Sequence, residues 1–160
     1  MAKRVLITGA CGGLGTCFSR YFADQECELI LLDRSRDALK SLADELGSSR
    51  SLMLLECDLG SEESYAIKVS NAVSGGVDVL VNNAAFVGTS GLAGWAESFE
   101  KQSAEAWRKA LEVNLIAPFR LSELCAEALR SAPYGNIVYI SSFYGMGGQI
   151  PVLYEGTEMK

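Results

Sequence analysis

A glycine-rich turn limits the folds open to this chain more than any other feature. The turn reads Thr8-Gly9-Ala10-Cys11-Gly12-Gly13-Leu14-Gly15, and it separates the apolar run Arg4–Ile7 from an amphipathic stretch that continues to about Asp24. Glycine allows a tight turn and close approach of the backbone, and the first turn of a helix offers free N–H groups. The pattern therefore predicts a strand–turn–helix unit that is suited to hold a pyrophosphate.

Apolar runs and amphipathic stretches alternate along the rest of the chain. The predicted strands are Arg4–Ile7, Glu28–Leu32, Ser51–Cys57, Val77–Val81 and Asn136–Ile140. The predicted helices are Gly13–Asp24, Ser35–Leu46, Ser61–Ser74 and Ser103–Ser131, the last bent at Pro118. Such alternation indicates an α/β fold with a parallel sheet covered on both faces. We expect one Rossmann-like, doubly wound domain over residues 1–160, with three αβα layers and strand order 3-2-1-4-5.

Composition argues against several classes of partner. The net charge is −6 and the Lys and Arg residues are dispersed, which disfavours nucleic acid. The chain has no His, and its five Cys show no CxxC spacing, so we expect no metal site and place the thiols in a reducing cytoplasm. No apolar run is long enough for a signal peptide or a membrane span, so no membrane partner is expected.

Acidic residues follow the second and third predicted strands. Asp33 ends the second strand, where a carboxylate can accept both hydroxyls of an adenosine ribose and would repel a 2′-phosphate. This favours NAD over NADP, although the neighbouring Arg34 could pair with such a phosphate, so NADP stays open. Asp58 and Leu59 follow the third strand and could flank an adenine, Asp58 by a hydrogen bond and Leu59 by contact.

Small and polar residues follow the fourth and fifth strands. Asn82-Asn83-Ala84-Ala85 and Ser141-Ser142 both fall at carboxyl ends of strands, the edge where such sheets bind ligands. Asn114 lies in the long helix, on a largely apolar surface. Taken singly, each of these residues is more often a loop or capping residue. Their common placement at one sheet edge favours a binding site.

These segments together resemble the classical short-chain dehydrogenase/reductase family. They match its TGxxxGxG turn, its Asp-Leu after the third strand, its NNAG-like segment with Ala85 in place of Gly, its helix Asn and its Ile-Ser-Ser strand end. The turn alone also reads as TGxxGxxG, the pattern of the extended branch, and Asn82-Asn83-Ala84 favours the classical branch. The predicted cofactor site comprises Thr8, Gly9, Gly13, Leu14, Gly15, Asp33, Arg34, Asp58, Leu59, Asn82, Asn83 and Ala84.

The resemblance implies a nicotinamide cofactor and hydride transfer between that cofactor and a carbonyl or alcohol carbon. Ser142 would orient the substrate oxygen, and Asn114 would help to hold a water in the proton relay. The resemblance also implies a small-molecule substrate, with a sugar or sugar nucleotide favoured by local similarity, and a homo-oligomer for the full-length member.

This sequence departs from the family's pattern at the acid/base pair. The family uses a Tyr with a Lys four residues later, and Tyr154 falls near the usual spacing from Ser142, but Glu158 stands at the Lys position and Lys160 comes too late. A nearby Glu raises a Tyr pKa, the wrong direction for a base. Two explanations are open: Tyr154 is a degenerate base, or the true Tyr-xxx-Lys pair lies beyond residue 160. We favour the second.

The chain is also shorter than typical members of the family. We therefore expect an incomplete oxidoreductase that lacks the catalytic helix, the last strands and the substrate-binding part, and whose fifth strand is an exposed edge prone to self-association. The alternative is a non-catalytic dinucleotide-binding or regulatory module, which Glu158 supports.

Overall fold

A computed structural model describes residues 2–47, 51–87, 90–95, 97–142 and 145–147, together with residues 152 and 156. Within these residues, parallel strands form one sheet in the order β3-β2-β1-β4-β5, as predicted. The strands are β1 (Arg4–Thr8), β2 (Glu28–Asp33), β3 (Leu52–Glu56), β4 (Val79–Asn82) and β5 (Asn136–Tyr139). The predicted residues Tyr154, Glu158 and Lys160 lie outside the described part of the chain.

Helices cover the two faces of the sheet and give the predicted three layers. The elements outside the sheet are α1 (Gly13–Asp24), α2 (Arg36–Leu46), α3 (Glu62–Val73), a 3-10 turn (Phe99–Lys101), α4 (Ala104–Leu111), a π-helical segment (Glu112–Ile116) and α5 (Ala117–Ser131). Because neighbouring strand residues point to opposite faces, Leu6 packs in the core under α3 and α5, whereas Val5 and Ile7 pack in the core under α1 and α2.

The most buried residues of α1 are small ones and not its large apolar side chains. The helix itself forms as predicted, but Leu14 and Tyr21 are 57% and 61% exposed, and the buried residues are Gly15, Ser19 and Ala23. The reason is close packing: a Cβ built on Gly15 would lie 2.0 Å from the carbonyl oxygen of Gly9. Only small residues fit where this helix approaches the turn.

The long helix predicted from Ser103 is interrupted, but not at Pro118 itself. It divides into α4 and α5 at the π-helical segment Glu112–Ile116, which contains Asn114. Proline has no N–H and its ring clashes with the carbonyl four residues earlier. For Pro118 that residue is Asn114, so the disturbance falls one turn ahead of the proline.

Strand β5 is the exposed edge that the sequence predicted. Within the described residues it pairs with β4 alone, and all of its residues are exposed, Tyr139 to 54%. A hydroxyl contact ties it to α5: Ser122 Oγ donates to the carbonyl of Pro118 and lies 2.6 Å from the Tyr139 hydroxyl. Side chains therefore fasten β5 to α5, and among the described residues no strand pairs with its outer edge.

Candidate functional site

The glycine turn between β1 and α1 is closed by its own backbone. Gly9 has φ +60°, a conformation that favours glycine, and its carbonyl accepts the N–H of Gly12 at 3.0 Å. Gly12 is the N-cap of α1 but has no side chain to cap it, and the first turn of the helix carries no acidic residue. The N–H groups at this helix end are thus left for an anionic group outside the helix.

Thr8 fastens the turn to the end of β4. Its hydroxyl donates to the carbonyl of Val81 and accepts the N–H groups of Asn83 and Ala84, both at 3.0 Å. The Asn83 amide in turn donates to the carbonyls of Thr8 and Gly9, at 2.9 and 3.1 Å. A Cβ on Gly9 would lie 2.9 Å from Ala84 Cα, so the turn and the β4 end pack backbone to backbone.

Asp33 is held from both sides at the end of β2. Its carbonyl accepts the N–H of Cys57, which continues the pairing with β3. Its two carboxylate oxygens accept the N–H groups of Cys11, at 3.0 Å, and Ser35, at 3.2 Å. Each oxygen keeps further lone pairs for a ligand. The carboxylate is therefore fixed at the predicted place beside the glycine turn.

Asp58 and Leu59 form a short turn after β3. The Asp58 carboxylate accepts the N–H of Gly60 at 2.8 Å, and the backbone N–H of Asp58 donates to Ser64 Oγ at 2.9 Å. Leu59 is 5% exposed and belongs mainly to the core under α3. Asp58 thus remains open to a ligand, whereas Leu59 offers only a small apolar surface.

A crevice of about 520 Å³ joins these features along the carboxyl edge of the sheet. Of the predicted cofactor residues it is lined by Gly9, Gly13, Leu14, Asp33, Arg34, Asp58, Leu59, Asn83 and Ala84. It is also lined by residues outside the predicted cofactor set: Cys11, Gly12, Leu32, Ala38, Cys57, Ala85, Phe86, Val87, Ser90 and Val113. Cys11 could have been found from its place in the turn, whereas Phe86 carries no signal in its own sequence context.

Thr8, Gly15 and Asn82 do not line the crevice. They are buried behind it, so the structure gives Thr8 and Gly15 a supporting place rather than a contact surface. Asn82 is 4% exposed, and neither polar atom of its side chain has a hydrogen-bond partner among the described residues. Buried amides without partners are rare and costly, which makes Asn82 the least satisfied polar residue at this edge.

The side chain of Asn114 grips the loop that follows β4. Its Oδ1 accepts the N–H of Phe86 at 2.7 Å, and its Nδ2 donates to the carbonyl of Phe86 at 2.9 Å. Both ends of the amide are therefore used on the protein. Ser142 is exposed just beyond β5, where its carbonyl accepts the N–H of Gly145 and the preceding Ile140 continues the pairing with Asn82.

The crevice contains one residue whose pKa is strongly shifted. Burial, followed by the charge and hydrogen bonding of Asp33, raises the pKa of Cys11 to about 12.

In the part of the chain that the structure describes, no three His, Cys, Asp or Glu side chains cluster as metal ligands, and no helix is long and apolar enough to cross a bilayer.

Comparison with known proteins identifies this arrangement. The family model described as short chain dehydrogenase matches residues 3–156. The chain belongs to the short-chain dehydrogenase family. Among curated members, the L-fucose dehydrogenase of Oryctolagus cuniculus is 31% identical over 150 residues, which make up 92% of this chain and 49% of that protein. The family resemblance read from the sequence is confirmed.

Solved structures of short-chain dehydrogenases share the fold. A short-chain dehydrogenase from Sphingobium yanoikuyae in complex with NADPH has a TM-score of 0.77 at 28% identity, over 92% of this chain and 56% of that one. A 7α-hydroxysteroid dehydrogenase complexed with NADH and 7-oxo glycochenodeoxycholic acid has a TM-score of 0.80 at 28% identity, over 94% and 57%. The chain thus spans about half the length of the relatives that it matches.

Proposed function

We propose that residues 1–160 form one dinucleotide-binding domain of an oxidoreductase that acts on a carbonyl or alcohol substrate. The observation that carries the proposal is a single crevice lined by both the glycine turn and the Asp33 carboxylate. The uncapped first turn of α1 suits a pyrophosphate, and the fixed carboxylate suits ribose hydroxyls. Relatives of known structure that bind NADPH and NADH support this assignment.

The proposed binding residues follow the crevice from one end to the other. Gly9, Gly13 and Leu14 surround the pyrophosphate, with Thr8 and Gly15 supporting the turn from behind. Asp33 takes the adenosine ribose, Asp58 and Leu59 flank the adenine, and Asn83 and Ala84 lead toward the nicotinamide end. Asn82 supports this segment from the sheet.

NAD is the preferred cofactor in this proposal. A 2′-phosphate would meet the Asp33 carboxylate, whose orientation is fixed by Cys11 and Ser35, and like charges at contact distance repel. Arg34 is exposed and lines the same crevice, so it offers NADP a weaker alternative contact. The fixed carboxylate of Asp33 therefore outweighs the exposed guanidinium of Arg34, which favours NAD.

The chemistry supplied by a bound nicotinamide is hydride transfer. Ser142, beyond β5, would orient the substrate oxygen by its hydroxyl. The side chain of Asn114 is engaged with Phe86, so we assign a relay water to the main chain of Asn114 and not to its amide. Similarity to L-fucose dehydrogenase makes a sugar hydroxyl the substrate class to test first.

Titration calorimetry of the chain with NADH and NADPH tests the binding half of the proposal. We expect NADH to bind more tightly than NADPH, and Asp33→Ala to weaken NADH binding at least about tenfold, because hydrogen bonds to a charged group are lost. Asp37→Ala, an exposed carboxylate in the first turn of α2, is the matched control. A folded chain that binds neither dinucleotide would contradict the proposal.

A non-catalytic dinucleotide-binding module is the second candidate, and Glu158 at the family's Lys position favours it. The coding sequence past Lys160 separates the two. An in-frame Tyr-xxx-Lys there would favour the oxidoreductase, and a stop codon would favour the module.

We further propose a cytoplasmic homo-oligomer. All five thiols are free, as expected in a reducing compartment. Large apolar side chains form an exposed stripe at intervals of four residues along α4, the π-helical segment and α5: Trp107, Leu111, Leu115 and Phe119. A second copy of the chain would cover this stripe. Sedimentation of the wild-type chain and of Leu115→Glu tests this, and an unchanged mass distribution would refute the role of the stripe.

A further inference from the structure

The crevice wall that follows β4 is held by a helix whose hydrogen bonding is irregular at one place. Phe86 lines the crevice, and its backbone N–H and carbonyl are both bonded to the side chain of Asn114, at 2.7 and 2.9 Å. Asn114 lies in the π-helical segment Glu112–Ile116, between α4 and α5. The direction of the Asn114 side chain, and with it the position of Phe86, therefore depends on where the helix is interrupted.

The interruption ends at a proline. The last N–H before Pro118, that of Ala117, donates to the carbonyl of Glu112, five residues earlier instead of four. Pro118 has no N–H, so the carbonyl of Asn114 receives no hydrogen bond from residue 118, and the proline ring would clash with that carbonyl in a regular α-helix. Beyond the proline α5 continues as an α-helix to Ser131.

The packing of the helix accepts such an interruption. Buried residues recur every four residues: Val113, Ala117, Leu121, Cys125 and Leu129. An α-helix repeats about every 3.6 residues, so a spacing of four makes the buried face drift around an unbroken helix. One wider π turn compensates for this drift and keeps the buried faces of α4 and α5 aligned. This spacing explains why a π turn is tolerated, but it does not fix the residue at which the turn falls.

We propose that Pro118 is a positioning residue: because it has no N–H for Asn114, it fixes the π turn that aims the Asn114 amide at Phe86, and it thereby sets one wall of the crevice. With an N–H at residue 118, the α-helical hydrogen bond to Asn114 would form. Removing one residue from a turn rotates the helix by about 100°, which would direct the Asn114 side chain away from Phe86. The proposal rests on the proposed function only in treating the crevice as a ligand site.

The test is amide hydrogen exchange, followed by NMR on the 160-residue chain and on Pro118→Ala. We expect the Phe86 N–H to exchange at least about fivefold faster in the variant, which is the factor that one ordinary hydrogen bond contributes. The new N–H of residue 118 should be protected by its bond to Asn114. Pro133→Ala, which changes a proline just past the end of α5, is the matched control and should leave the Phe86 rate unchanged.

A second variant separates the missing N–H from a general need for proline. A chain that carries lactic acid in place of Pro118 has an ester at this bond, so it lacks both the ring and the N–H. We expect Phe86 to exchange as slowly in this chain as in the wild type, and this variant tests the proposal even if Pro118→Ala does not fold. Fast exchange of Phe86 in the folded ester chain would overturn the proposal.

Two results with Pro118→Ala would also overturn it. An unchanged Phe86 rate in the folded variant would mean that packing alone places the π turn. Equal acceleration of Phe86 and of the amides throughout α5 would indicate general loosening of the helix. These measurements need no dinucleotide, so they can fail while the proposed function stands. A wild-type chain that binds no dinucleotide would contradict the proposed function and leave the role of Pro118 in the helix intact.

Discussion

The side-chain amide of Asn114 forms two hydrogen bonds with the backbone of one residue, Phe86, at 2.7 and 2.9 Å. This pair joins the interrupted helix to the loop after β4, which forms one wall of the crevice. We expect Asn114→Ala to lower the free energy of unfolding by about 1–3 kcal/mol, the usual net value of two hydrogen bonds. Urea unfolding of the wild-type chain and of the variant measures this loss of stability. Asn71→Ala, an exposed asparagine on α3, should change stability by less than about 0.5 kcal/mol.

Replacement of Thr8 is expected to destabilise the fold more than the small size of its side chain suggests. Thr8→Val keeps the shape but leaves the partly buried N–H groups of Asn83 and Ala84 without their acceptor. A fully buried unsatisfied group costs about 1–3 kcal/mol, so for two partly buried groups we expect a loss of about 1–3 kcal/mol in total in chemical denaturation. Thr8→Ser retains the hydroxyl and should recover most of that loss. Equal stability of the two variants would contradict the role of the hydroxyl.

Two glycines of the same turn should respond oppositely to alanine. A Cβ on Gly15 would lie 2.0 Å from the Gly9 carbonyl oxygen, and we expect Gly15→Ala to destabilise the fold by at least about 2 kcal/mol. A Cβ on Gly13 meets nothing within 4 Å, and Gly13→Ala in the first turn of α1 should be neutral or stabilising by up to about 1 kcal/mol. Thermal melting of the two variants decides between steric packing and a general need for flexibility.

Stability should fall at high pH because buried thiols hold their protons more tightly in the folded state. Burial raises the pKa of Cys125 from 9.0 to about 11. The stabilising contribution is complete below pH 9, where both states are protonated, and is lost as the pH rises from 9 through 11, at about 1.4 kcal/mol per unit for this group. Urea midpoints at pH 8, 9, 10 and 11 measure the decline. Cys125→Ala should show a shallower one, and identical slopes would exclude Cys125 as a contributor.

Sequence patterns predicted the framework well because they reflect local requirements. The glycine turn, the strand ends at Asp33 and Asn82 and the sheet order follow from periodicity and from right-handed crossovers. The periodicity of α1 does not show that Gly15 must be small, because its closeness to the Gly9 carbonyl is set by tertiary contact. The helix break was displaced to Asn114 since proline acts on the carbonyl four residues earlier.

The site was predicted less completely than the fold. Residues such as Asp33 and Asn83 occur in recognisable segments, and their positions follow from the ends of strands. Phe86 enters the crevice because a side chain distant in sequence, Asn114, clamps its backbone, and the backbone N–H of Cys11 binds the carboxylate of Asp33, 22 residues away in sequence. Neither relation is encoded in the spacing of residues along the chain.

The backbone contact between Gly9 and Ala84 also limits how this protein can change over generations. A side chain at residue 9 would collide with Ala84 Cα, and Asn83 binds the same turn through two carbonyls. Substitutions at the glycine turn and at the end of β4 are therefore not independent. A change at one of these segments is tolerated only if it fits the residues present at the other. Anyone who grafts this turn onto another scaffold to transfer its ligand preference would have to transplant Asn82–Ala84 with it.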